Sequence, residues 1–314
     1  MTQPRIVITE FMDAGAVQSL RSRFEVRYEP TLVDDSAALH AAVAGADAVV
    51  VRNRTQVNAA LLAAAPRLRV VGRLGVGLDN IDLERCKARN VTVIPATGAN
   101  AQAVAEYVVG TAMLLLRGAY RATDEVAAGR WPRTRLSEGR EIRGKCLGLI
   151  GFGGIGQLTA TLAQAVGMRV VGHDPAFDAG AAVWAAQGVE PLALDAVLAR
   201  ADVVSLHVPL VDSTRNLIDA ARLARMKRDA VLINTSRGGI VDEAALARAL
   251  VAGELAGAAL DVFAHEPLVA GSVLAGAPNL LLTPHVAGVT AESNERVSSL
   301  IAQRVAEALE APRR

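Results

Sequence analysis

The sequence predicts an α/β protein made of two doubly wound parallel-sheet domains. Three observations carry that prediction. Short Val/Ile/Leu runs alternate with Ala-rich stretches of helical spacing along nearly the whole chain. The runs are apolar at consecutive positions, as strands covered on both faces are. They also fall into two blocks, separated by a long apolar segment at 98–131. Strands alternating with helices imply βαβ units, and right-handed crossovers then limit the topology to the doubly wound type. At 314 residues the chain is long for one core, and a 52% hydrophobic content can fill two.

The first block places strands at 5–9 (RIVIT), 24–29 (FEVRYE), 47–51 (DAVVV), 68–74 (LRVVGRL) and 91–96 (VTVIPA), with helical stretches at 13–23 and 35–45. The second places strands at 146–152, 168–174, 189–193, 202–207, 230–236, 255–263 and 279–285. The segment 98–131 reads as one long helix with Asn100 as its cap, carrying the chain between blocks. The tail from Thr290 to Arg314 reads as an amphipathic helix. Asp79 and Asp82 read as helix-start caps. Periodicity leaves open whether the second block is C-terminal or inserted.

Charge and composition exclude several classes. The 33 basic residues nearly balance the 32 acidic ones, which gives no reason to expect nucleic acid or a membrane surface as partner. Cys86 and Cys146 fall in different blocks and form neither a metal set nor a disulfide framework, so no metal is expected. The N-terminus lacks an apolar signal region, and the run from Tyr107 to Leu116 is too short to span a bilayer. The expectation is a soluble, cytoplasmic protein.

The strongest local signal is "CLGLIGFGGIGQLTA". Gly151, Gly153 and Gly156, with Gly154 and Ile155 between them, follow a strand and open a helix, the context a dinucleotide fingerprint requires. The helix start offers unpaired N–H groups and a positive dipole end to a pyrophosphate. Asp174 ends the next strand, eighteen residues after Gly156. A carboxylate there suits ribose hydroxyls and repels a 2′-phosphate, which favours NAD over NADP.

Three further strands of this block end in polar residues. Arg237 follows Asn234-Thr235-Ser236, Glu266 precedes Pro267, and His285 follows Pro284. Carboxyl ends of strands in one parallel sheet cluster in space. Oxidising R–CHOH–COO⁻ needs a base for the hydroxyl proton, and histidine serves near neutrality. A carboxylate on its far nitrogen fixes the tautomer, and an arginine grips the substrate carboxylate at two points. A histidine alone is more often a packing residue; with the other two it becomes chemistry.

In combination and in this order, the fingerprint, "NTSRGGIVDE", "DVFAHEP" and "TPHVAGVT" resemble the D-isomer-specific 2-hydroxyacid dehydrogenases over nearly the whole chain. The resemblance implies Arg237 as anchor, Glu266 as partner and His285 as acid/base. It implies a flavodoxin-like substrate domain at 1–98 and 289–314, and an inserted Rossmann domain for NAD at 99–288. It further implies cofactor contacts at Gly154, Ile155, Asp174, His207, Val208, Pro209, Thr235, Ser236, Arg237, Asp261, His285 and Gly288. A homodimer built partly through the long helix is implied as well.

The loop at 72–80 resembles the family's substrate loop, in which the N–H groups of Gly75 and Val76 meet the carboxylate. Arg73 precedes it, and "VVVRNRT" delivers Arg52 and Arg54 at the end of the neighbouring strand. Three arginines suit a second strong anion, so 3-sulfolactate and 3-phosphoglycerate are the expected substrates. The segments "ITEFMD", "VRNRTQV" and "VVGRLGVGLDNID" resemble the sulfolactate branch more than the phosphoglycerate branch. Simpler hydroxy acids come third, because they leave the arginines without a partner. Some members of this fold act as NAD-sensing corepressors, a reading that no binding tail or low-complexity arm supports here.

Overall fold

The computed structural model describes residues 3–311. The chain forms two compact units, one spanning Met1–Asn100 and Val289–Arg314, the other Ala101–Gly288.

The first unit holds five strands: β1 (Arg5–Ile8), β2 (Glu25–Tyr28), β3 (Ala48–Val51), β4 (Val70–Arg73) and β5 (Thr92–Pro95). They pair in parallel in the order β2-β1-β3-β4-β5. β3 is buried at all four positions, because both sheet faces carry helices. On one face Val49, Val51 and Val71 pack with Leu39, Val43, Leu61 and Leu62. On the other, Ile6, Ile8 and Val50 meet Val17 and Leu20, together with Val297, Ile301 and Val305 from the C-terminal helix Ala291–Glu310. That helix starts at Thr290, whose side chain accepts from the Ser293 N–H while the Ser293 hydroxyl accepts from the Thr290 N–H, so two end groups are satisfied reciprocally.

The second unit holds β6 (Cys146–Ile150), β7 (Arg169–His173), β8 (Glu190–Pro191), β9 (Val203–Leu206), β10 (Val231–Asn234), β11 (Gly257–Leu260) and β12 (Leu280–Leu282). Their order is β12-β11-β10-β9-β6-β7-β8, all parallel. The direction of winding reverses between β6 and β9, and ligands of such sheets bind at the carboxyl ends beside this switch point. β6, β9, β10 and β11 are buried throughout, as covered parallel strands are.

Three local expectations are corrected. The segment 98–131 is not one helix. It is helical over Ala101–Arg117, breaks at Gly118 in the left-handed region (φ 66°), and continues as a 3₁₀ turn at Ala119–Ala122 and a short helix at Thr123–Ala127; another short helix, Arg133–Leu136, follows beyond it. A left-handed glycine is a helix terminator, and it outweighs the apolar spacing beyond it. Asn100 does not cap this helix: its Oδ1 is buried without a hydrogen bond, so it accepts from none of the first helical N–H groups. Of the two aspartates, Asp82 caps the helix Leu83–Ala88 by accepting from the Arg85 N–H, whereas Asp79 lies three residues upstream and is exposed.

Cys86 and Cys146 are free and buried, and desolvation pushes both thiols up, so neither is a ready nucleophile. No described helix is long and apolar enough to cross a membrane.

Candidate active site

In the second unit the strand ends carry the groups singled out above. Gly151 follows β6 at φ +94°, and a Cβ there would lie 2.3 Å from the His207 carbonyl oxygen. A Cβ on Gly156 would lie 2.4 Å from the Gly151 oxygen. The protein's own packing therefore requires both glycines. Gly153 is different: a Cβ there would meet nothing within 4 Å. Its lack of a side chain keeps open the N-terminus of the helix Gly154–Ala165, where Gly154 and Ile155 supply the first N–H groups. Phe152 is fully buried and stacks on Trp184 with ring centroids 4.3 Å apart, pinning the turn from below. Asp174, after β7, accepts from the Phe152 N–H at 2.7 Å and from the Ala176 N–H at 2.9 Å, so it is locked to the glycine turn.

β9 leads into His207-Val208-Pro209. The His207 Nε2 lies 3.0 Å from Ser205 Oγ, and desolvation pushes its pKa down to about 4, which keeps the ring neutral near pH 7. After β10, Asn234 shapes the turn that follows: its Nδ2 donates to the Arg237 carbonyl and its Oδ1 accepts from the Ser236 N–H. The Ser236 hydroxyl donates to the Leu206 carbonyl. Thr235 Oγ1 is buried with no hydrogen-bond partner. A buried hydroxyl left unsatisfied is costly and is the mark of a position that a ligand completes. Together with the clear space at Gly153, it fits a bound dinucleotide.

The Arg237 guanidinium donates through Nη1 to the Ser236 carbonyl. The Arg237 turn is pressed onto the segment after β11: a Cβ on Gly238 would lie 1.8 Å from the Phe263 carbonyl oxygen. That segment delivers Glu266, whose Oε1 accepts from the Phe263 N–H at 3.0 Å. Its Oε2 stands 2.8 Å from Nδ1 of His285, just beyond β12. With Nδ1 committed to Glu266, Nε2 is the ring nitrogen through which the imidazole can exchange a proton with a reactant. The pair is part-exposed, at 42% and 34% of the side-chain surface, so reactants can reach it.

Asp261, just after β11, is 1% exposed. One carboxylate oxygen accepts from the Thr283 hydroxyl and the Val286 N–H, the other from the Ala287 N–H. Gly288 closes this turn. Among the described residues no group of three or more His, Cys, Asp or Glu side chains could hold a metal ion.

In the first unit, Arg52 and Arg54 follow β3, and Arg73 ends β4 opposite Val51 in register. Sequence reasoning missed what holds this loop. Glu10, 5% exposed, accepts from the N–H groups of Arg52, Thr55 and Arg54 at 2.8, 3.0 and 3.1 Å. Asn80 Nδ2 donates to the carbonyls of Thr55 and Arg52. Glu10 closely follows β1, so the strand-end criterion that found the arginines could have found it. The Arg52 guanidinium donates to Asn294 Oδ1 at 2.8 Å and sits over the Phe11 ring; desolvation lowers its pKa from the usual value. Arg54 is ion-paired with Asp34. Arg73 Nη1 donates to the Leu74 carbonyl. The Gly75 N–H donates to the Arg73 carbonyl at 2.8 Å, and Val76 beside it is exposed.

A dinucleotide cradle beside a carboxylate-supported imidazole and an arginine defines an oxidoreductase that moves hydride at a hydroxyl-bearing carbon. The chain belongs to the D-isomer specific 2-hydroxyacid dehydrogenase family. The model of that family's NAD binding domain matches residues 109–287. The chain is 53% identical over 305 residues to (S)-sulfolactate dehydrogenase of Chromohalobacter salexigens, covering 97% of this chain and 98% of that one. It is 40% identical to D-3-phosphoglycerate dehydrogenase of Mycobacterium tuberculosis, covering 98% of this chain and 57% of that one. Among solved structures, the TT0316 protein from Thermus thermophilus superposes with a TM-score of 0.88 at 34% identity, covering 98% of this chain and 97% of that one. The protein is an NAD-dependent 2-hydroxyacid dehydrogenase.

Proposed function

We propose that the protein oxidises (S)-3-sulfolactate to 3-sulfopyruvate, with His285 as the acid/base, Glu266 as its orienting partner and Arg237 as the anchor of the substrate carboxylate. A bound NAD would supply the acceptor for the hydride that leaves the carbinol carbon. His285 takes the hydroxyl proton on Nε2 as the C–O bond gains double-bond character, and Glu266 on Nδ1 supports the imidazolium that results. The balance is complete: hydroxy acid and NAD⁺ give keto acid, NADH and a proton. Arg237 holds the carboxylate and polarises the forming carbonyl. Gly153, Thr235, Asp174 and the start of the helix Gly154–Ala165 hold the dinucleotide.

The observation that carries the choice of substrate is the loop at 52–55. Its backbone is fixed by one buried carboxylate, and it presents Arg52 and Arg54, with Arg73 on the adjacent strand. We assign these arginines to the sulfonate and the loop that bears the Gly75 and Val76 N–H groups to the carboxylate. The (S)-sulfolactate dehydrogenase relative, similar over nearly its full length, supports the same reading. A substrate with a distal phosphate is the second reading, favoured by the phosphoglycerate dehydrogenase relatives. We further infer a cytoplasmic homodimer that uses the region from Met113 to Trp131, where Met113, Tyr120, Val126 and Trp131 are exposed.

Initial rates with NAD and both enantiomers of sulfolactate, 3-phosphoglycerate, glycerate and lactate test the proposal. Sulfolactate should give the highest kcat/KM; a clear preference for lactate or glycerate would remove the distal-anion assignment.

A further inference from the structure

The catalytic histidine sits in an uncommon backbone conformation. His285 has φ +55°, in the left-handed region that side chains other than Gly, Asn and Asp seldom occupy. Such a conformation persists when the surroundings over-determine it. Here the determinants can be traced. The His285 N–H donates to the Asp261 carbonyl at 2.8 Å and to the Thr283 carbonyl at 3.0 Å. The next two N–H groups, of Val286 and Ala287, each donate to one oxygen of the Asp261 side chain at 2.8 Å. The turn that bears the imidazole is thus wrapped around Asp261.

The wrap does not end there. Thr283 Oγ1 donates to Asp261 Oδ1 at 2.6 Å. A threonine hydroxyl has one proton, and this bond uses it. The Tyr107 hydroxyl lies 2.6 Å from the same Oγ1, so Tyr107 must be the donor in that contact. The chain of protons has one direction: from Tyr107 to Thr283, and from Thr283 to Asp261. Tyr107 lies on the helix Ala101–Arg117, remote in sequence from every other group of the site. Desolvation pushes its phenol pKa up, so it stays protonated and able to donate across the working range.

We propose that Tyr107 is a positioning residue for His285, acting through Thr283 and Asp261. Its hydroxyl saturates Thr283 Oγ1 and orients the threonine proton toward Asp261, and Asp261 in turn sets the path of residues 285–287. The imidazole then meets Glu266 without searching. The inference rests on the reading of His285 as acid/base, and it applies to any 2-hydroxy acid the enzyme accepts, because Tyr107 acts on the base and not on the distal end of the substrate.

The test is kcat at saturating NAD and hydroxy acid for Tyr107→Phe, Thr283→Val and the double variant, with Thr283→Ser and His285→Ala alongside. Phenylalanine keeps the ring and its packing, so the fold should survive. The Tyr107→Phe variant should lose about five- to tenfold in kcat, the scale of one hydrogen bond, with KM for NAD and for the acid within about twofold of wild type. The double variant should be no slower than Thr283→Val alone, and Thr283→Ser should retain activity near wild type. Unchanged kcat in Tyr107→Phe, with His285→Ala inactive, would overturn the role of Tyr107 and leave the acid/base reading standing. Equal factors of loss from Tyr107→Phe in both backgrounds would show that it does not act through Thr283. Normal turnover in His285→Ala would remove the acid/base reading and this inference with it.

Discussion

Arg54 is ion-paired with Asp34 at the end of a 3₁₀ turn in the same unit. Both side chains are more than half exposed, at 59% and 54%, so the pair is held loosely and screened by solvent. A sulfonate or phosphate that reaches Arg54 must compete with this carboxylate. Arg54→Ala should therefore raise KM about tenfold for an acid with a distal anion and leave KM for lactate nearly unchanged. Asp34→Asn should lower KM for the distal-anion substrate, since it removes the competitor. Equal effects of Arg54→Ala on both kinds of acid would deny the arginine its assigned role.

The three glycines of the fingerprint make separable predictions. Gly151 and Gly156 are required by contacts within the chain, whereas Gly153 borders open space. Gly153→Ala should fold with an unchanged melting temperature and bind NADH about tenfold more weakly, read by fluorescence titration. Loss of stability with intact NADH binding would mean that Gly153 serves the fold instead.

Asp174 is held by the Phe152 and Ala176 N–H groups in a fixed position at the end of β7. Asp174→Ala should narrow the preference for NAD over NADP, because the repulsion of a 2′-phosphate disappears. An unchanged ratio of kcat/KM for the two cofactors would assign the choice to another residue.

His207 makes the protein sensitive to acid. Desolvation lowers its pKa to about 4 from an unfolded value of 6.5. The folded state favours the neutral ring, so this contribution is fully present above pH 6.5 and is lost as pH falls toward 4. The upper bound is about 3 kcal/mol. The fall in melting temperature between pH 7 and pH 4.5 should be smaller in His207→Asn than in the parent. Parallel curves would place the acid sensitivity elsewhere.

Much of this was legible in the sequence because parallel strands buried on both faces announce themselves as unbroken apolar runs, and because the polar residues that end them are the ones a ligand meets. Each of the twelve strands among the described residues lies within a run read from the sequence, down to the two residues of β8. His285 and Glu266 do stand in contact. The misreadings were local. Apolar spacing continues through Gly118, so the sequence looked helical where one left-handed residue ends the helix. Asn100 has the composition of a cap, but its turn buries the side-chain oxygen instead. The supporting groups were the least legible. Asn80, Asn234, Tyr107 and Thr283 act through hydrogen bonds to backbone or to other side chains, which leave no spacing pattern to read, whereas Glu10 at least shares the strand-end position of the arginines. The family resemblance implies Asp261 as a cofactor contact; what the structure shows is that its carboxylate oxygens organise the turn that bears the histidine.

Every step of the proposed reaction needs His285 to move the proton. The most direct measurement is the rate of NADH formation by His285→Ala at saturating NAD and sulfolactate, with NADH affinity determined on the same sample. With His285 as the base, kcat should fall by about 10³-fold with NADH binding retained, and Glu266→Gln should lose at least about tenfold. Turnover near the parent rate in His285→Ala would contradict that role.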